Sequence, residues 1–163
     1  MRRLFAVAAA LALSCAAVPA HAQIGSFDGP AKPKQYIEFA AEPQTIPAGK
    51  RTLVELHFQV GEGFHVNSHT PKSELLIPTN LTITSADGIT VAQPAYPAGK
   101  PYSFSFDPTD KLDVYSGSFL IKLPVTASAG AHALTGTLRY QACDNAACYP
   151  PRTLAISIPI TAR

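Results

Sequence analysis

Residues 52–60 read TLVELHFQV. Val54, Leu56, Phe58 and Val60 fall on one side of an extended chain, and Glu55, His57 and Gln59 on the other. Apolar and polar residues alternating with period two make a strand with one face on a core and one in solvent. The same alternation recurs in FHV (64–66), LTITSA (81–86) ahead of Asp87-Gly88, SFLIKLPV (118–125), ALTGTLRYQA (133–142) and TLAISIPI (153–160). In the last of these Leu154, Ile156, Ile158 and Ile160 share a face. No stretch carries a helical period.

About seven or eight short strands separated by Gly, Pro, Asn and Asp, in about 125 residues, predict an all-β protein, an immunoglobulin-like antiparallel β-sandwich. The 15 prolines fit, because they belong in turns and edge strands. No internal repeat or boundary divides residues 36–163, which are expected to form one domain.

The first residues have a different character. Arg2 and Arg3 precede an apolar run from Leu4 to about Val18, and Ala20-His21-Ala22 then supplies a small-x-small cleavage site. Residues 1–22 are therefore expected to be a secretory signal peptide cleaved after Ala22. Lipoprotein processing at Cys15 is the weaker alternative, since Ala12 rather than Leu stands three residues before the cysteine. Residues 23–35, QIGSFDGPAKPKQ, read as a flexible leader. No later segment approaches the roughly 18 apolar residues of a membrane span, so the mature chain is expected to be periplasmic without direct membrane insertion. Of 13 lysines and arginines, all but Arg2 and Arg3 would remain, balancing the 11 aspartates and glutamates. A neutral surface without a basic run excludes nucleic acid and anionic membranes as partners.

Residues 140–151 read YQACDNAACYPP and hold the two cysteines of the mature chain. As a staple, a ring this small stabilises by only about 2 kcal/mol, against roughly 4 to 5 for a bridge closing a hundred-residue loop. An exported pair on a turn backed by Pro150-Pro151 is also of the kind that exchanges with other thiols. Structural bridge and working dithiol both stand on these residues alone. Asp144 reads as a turn residue, although a carboxylate close to a thiol would raise its pKa. A metal clip has less support. Period two places His57 and His65 on outward faces of different strands, and His69 falls in a turn before Pro71, so the histidines do not converge. No metal and no other cofactor is expected. No G-x-S-x-G or H-E-x-x-H motif occurs.

The run LRYQACDNAACYPP (138–151), followed by an alternating apolar strand, resembles the N-terminal periplasmic domain of the thiol:disulfide interchange protein DsbD and its stand-alone relatives. GFHVNS (63–68) and VYSGSFLIKLPV (114–125) are similar to segments of the same family. The resemblance implies an immunoglobulin-like domain with a redox-active pair, Cys143 and Cys148. It implies a protein-disulfide reductase component that carries reducing equivalents from a membrane electron carrier to periplasmic thioredoxin-like proteins, here as separate partners. By matching positions, Cys148 forms the mixed disulfide and Cys143 resolves it. His65 and Asn67 stand where the family has two tyrosines beside the pair. A cap loop with an aromatic tip corresponds to YSFSFDPTDK (102–111), with Phe104 or Phe106 at the tip, while Tyr140 and Tyr149 flank the cysteines. The loop between the cysteines is one residue shorter than in the best-known member. The competing expectation is a non-catalytic binding or accessory module whose disulfide only fixes a hairpin.

Overall fold

A computed structural model describes residues 35–84, 87–104 and 107–163. The expected signal peptide, Cys15, the leader up to residue 34 and Phe106 lie outside the described residues. The alternating run that opened the reading is β3 (Thr52–Val60), with Val54, Leu56, Phe58 and Val60 buried and the residues between them exposed. Before it come β1 (Ile37–Ala40) and β2 (Gln44–Ile46), and after it β4 (His65–Asn67), β5 (Asn80–Thr84) and β6 (Ile89–Val91). Then follow β7 (Lys100–Phe104), β8 (Asp107–Tyr115), β9 (Ser118–Ala127), β10 (Gly130–Tyr140), β11 (Ala142–Cys143) and β12 (Arg152–Ala162). The described residues contain no helix. The strands outnumber the seven or eight expected because several, such as β2 and β11, are too short to show a period.

Three four-stranded sheets result, in the orders β1-β3-β9-β6, β2-β12-β10-β5 and β11-β4-β8-β7. Val54, Leu56, Ile121 and Leu123 of the first sheet and Leu134, Leu138, Ile156 and Ile158 of the second belong to one buried cluster. These facing layers form the immunoglobulin-like sandwich, and each such side chain contributes about 1.5–3 kcal/mol through burial. All pairings among the described residues are antiparallel except β2 with β12, a short parallel ladder at a sheet edge. Gly136 lets β5 approach β10, since a Cβ there would stand 2.4 Å from the Thr82 carbonyl oxygen.

The third sheet positions the cysteines. β10 and β12 are neighbours whose ladder ends at Tyr140↔Arg152, so residues 141–151 project beyond it. There β11 turns onto β4, pairing Ala142 with Val66 and Cys143 with His65. Val66 and Ala142 join the core, which leaves His65 and Cys143 on the opposite face by strand alternation.

Candidate functional site: the cysteine hairpin

Cys143 and Cys148 are antiparallel bridge partners joined by a disulfide, with an S–S distance of 2.04 Å and Cα atoms 4.0 Å apart. Their environments differ. Cys143 is 0% exposed, while Cys148 is solvent-exposed. A thiol or thiolate approaching the bridge from solvent therefore meets it from the Cys148 side.

The hairpin is held by more than the bridge. The N–H of Asp144 donates to the Ala147 carbonyl at 2.9 Å, and that of Tyr149 to the Ala142 carbonyl at 2.8 Å. Asp144 Oδ1 accepts the N–H groups of Ala146 and Ala147, each at 2.8 Å, an Asx-type cap for which aspartate suits a tight turn. The Tyr149 hydroxyl donates to Asp144 Oδ2 at 2.5 Å. That bond and then the two N–H groups hold the Asp144 carboxyl below its ordinary range, with His65 adding in the same direction. The same carboxylate pushes the Tyr149 phenol up.

Successive residues of the chain entering β4 serve opposite sides of the hairpin. Phe64 packs with Tyr36 at 4.8 Å between ring centroids, and Tyr36 stacks on Tyr149 at 5.1 Å. His65 instead meets Tyr102 at 4.0 Å and Phe104 at 5.9 Å, both from β7. The expected outward face for His65 is corrected here, because the residue is only 3% exposed. Period two identifies its face, but the β7–β8 hairpin covers that face. Burial holds its imidazole below the ordinary value, outweighing the opposite pull of Asp144. Its Nε2 is buried and has no hydrogen-bond partner.

Asn67, on the same face as His65, is fully buried, and its Nδ2 donates to the Ile77 carbonyl at 3.0 Å and to Gln141 Oε1 at 3.1 Å. Tyr140 points into the core, its hydroxyl accepting the Tyr36 N–H at 3.2 Å and donating to Gln35 Oε1 at 2.8 Å. The sequence reading passed over Gln141, Tyr36 and Tyr102. Gln141 Oε1 also accepts the Ile77 N–H at 3.1 Å, and its Nε2 donates to the Tyr149 carbonyl at 3.3 Å, tying the hairpin to the 68–79 loop. Tyr102 had a signal, since it lies two residues before Phe104 and therefore shares its face.

The histidines stand apart. His57 is exposed beside Glu55, and His69 stacks on Tyr96 at 3.7 Å with Nδ1 3.0 Å from the Thr79 carbonyl. Among the described residues no group of three His, Cys, Asp or Glu side chains is disposed to hold a metal ion.

Fold and site together define a β-sandwich domain presenting one cysteine of a disulfide hairpin to solvent. Residues 31–159 match the family described as thiol:disulfide interchange protein DsbD, N-terminal, and the chain belongs to that family of thiol-disulfide interchange domains. It is 28% identical over 107 residues to the thiol:disulfide interchange protein DsbD of Actinobacillus pleuropneumoniae serotype 5b (strain L20). That match covers 64% of this chain and 15% of the relative's length. Among solved structures, the Neisseria meningitidis DsbD N-terminal domain in the reduced form matches with a TM-score of 0.43 and 21% identity, over 68% of this chain and 79% of that one. PapD-like domain 7 of human CEP192 matches with a TM-score of 0.36 and 13% identity, over 85% of this chain and 96% of that one.

Proposed function

We propose that this protein is an exported electron-transfer domain in which the Cys143–Cys148 pair relays reducing equivalents from a membrane electron carrier to periplasmic thioredoxin-like oxidoreductases. Residues 1–22 direct export, residues 23–35 are a leader and residues 36–163 are the working domain. No helix of the described residues is long and apolar enough to cross a membrane. A reducing thiolate attacks Cys148, forming a mixed disulfide while the electron pair of the broken bond leaves on Cys143. In the outward step Cys148 attacks the partner's disulfide, and Cys143 then displaces the reduced partner. His65, Asn67, Phe104, Tyr140 and Tyr149 shape the surroundings of the pair.

The observation that carries this reading is the asymmetry of one exposed and one fully buried cysteine in a single bridge. It suits ordered attack, with one sulfur for partners and one for resolution. A structural staple is the poorer account, because the Asp144 cap and the cross-hairpin bonds of Tyr149 already hold the turn.

Equilibrating the purified mature domain in glutathione buffers and trapping free thiols gives the reduction potential of the pair. A value roughly between −180 and −270 mV is expected, the span of oxidoreductases that are both reduced and reoxidised. A value below about −300 mV, where structural disulfides lie, would refute the relay in favour of the binding module.

A further inference from the structure

The outward step leaves a proton to be placed. Cys143 must be a thiolate to displace the partner from Cys148, yet the residue is fully buried, out of reach of bulk solvent. Cα partners on adjacent antiparallel strands project side chains to the same face, with Cβ atoms about 4.5–5.5 Å apart. His65, Cys143 and Cys148 are successive partners of this kind and so form one row across β4, β11 and the return strand. At one end of that row stands His65, whose Nε2 is buried and without a hydrogen-bond partner. A buried polar atom left unpaired in the disulfide form is destabilising, and in a native structure it calls for an explanation.

We infer that His65 is the base for the resolving thiol, its Nε2 accepting the Cys143 proton as Cys143 displaces the partner from Cys148. This rests on the reading of Cys143 as the resolving thiol. In the step the Cys143–Cys148 bond forms and the bond from Cys148 to the partner's sulfur breaks. The partner sulfur leaves as a thiolate with the electron pair, and the Cys143 proton resides on His65 before passing to that thiolate or to solvent. Over the attack and the resolution together, the two domain sulfurs are oxidised and the partner's two are reduced. In the opposite direction the imidazolium returns the proton to Cys143 as it leaves.

Neutral imidazole is the form this requires, and burial favours it at His65. The groups that face His65 are consistent. Tyr102 and Phe104 from β7 pack on its ring, Asp144 from the turn supplies a carboxylate that favours the transient imidazolium, and on β8 Val114 pairs with Asn67, two residues along the same face. Lys100, at the exposed start of β7, shares the face as the register partner of Val114.

The test uses the reduced mature domain and dithiobis-nitrobenzoate. Exposed Cys148 releases a first nitrothiobenzoate, and Cys143 releases the second on resolution. His65→Gln is expected to slow the second phase by about a hundredfold at neutral pH. The deficit should shrink by about tenfold per pH unit as hydroxide takes over the deprotonation, so that variant and parent converge in alkali. An unchanged second phase, or a slowing by the same factor at every pH, overturns the assignment. Should the variant not fold, imidazole nitrogen chemical shifts of the parent decide. The His65 titration midpoint is expected to differ between disulfide and dithiol forms, and coincident midpoints overturn the proposal. Neither readout needs a protein partner. A domain with His65-dependent release that fails to exchange with thioredoxin-like proteins refutes the relay alone.

Discussion

Replacing Gln141 by Ala should loosen the cysteine hairpin from the loop behind it. The side chain makes three bonds, accepting from Asn67 Nδ2 and the Ile77 N–H and donating to the Tyr149 carbonyl. At a net value of about 0.5–1.5 kcal/mol each, the loss is about 2–3 kcal/mol, since Gln141 is only part-buried and water replaces some of what is removed. Urea unfolding of the oxidised domain is the assay. With a slope near 2 kcal/mol per molar, the midpoint should fall by about 1–1.5 M at unchanged slope. A companion Asn67→Ala variant keeps the test specific. The double variant should lose about 1 kcal/mol less than the sum of the singles, because the two residues share one bond. A loss below about 0.5 kcal/mol for Gln141→Ala, the range of featureless surface sites, would refute the claim that this glutamine holds the hairpin.

Two further tests address the turn and the core. The Asp144 carboxyl is depressed in the folded state, so its contribution is complete above the unfolded value near 3.8 and disappears as pH falls through the lower folded value. Its carboxyl carbon shift, followed by NMR, should titrate below 3.8, together with the amides of Ala146 and Ala147; a midpoint at or above 3.8 contradicts the cap. Leu56→Ala, at a fully buried site of β3, should cost about 2–5 kcal/mol in denaturant unfolding, whereas Leu53→Ala, 56% exposed on the same strand, should change stability by less than about 0.5 kcal/mol. Equal losses at the two positions would contradict the register of β3.

The long strands were legible because their alternation is unbroken. β3, β9, β10 and β12 each have one wet face, and period two reports that directly. β8 reads poorly because its buried Leu112 and Val114 sit among charged and turn-forming residues. The parallel β2–β12 ladder has no local signal, since three residues join a strand more than a hundred positions away. The cysteine pair was legible as a motif, but the difference in exposure between its sulfurs was not, because tertiary packing creates it. His65 shows the limit of periodicity. Alternation tells which residues share a face, and only the arrival of β7 decides whether that face is wet. Gln141 carried no pattern at all, for its partners are the Ile77 backbone, Asn67 and the Tyr149 carbonyl.

The two cysteines are five positions apart, whereas β4, which lies against Cys143, is more than seventy positions upstream. Ring closure over so short a span is fast, and pairing over the longer one is slow. The two cysteines can therefore meet in an unfolded chain with neither yet shielded, since β4 reaches Cys143 only in the condensed sandwich. Pairing the cysteines needs only the local turn, whereas which of them faces the outside is decided by the strand that packs against Cys143. Oxidation is thus a property of the local peptide, while directionality belongs to the finished domain, and a chain arrested before condensation would carry the disulfide without its polarity.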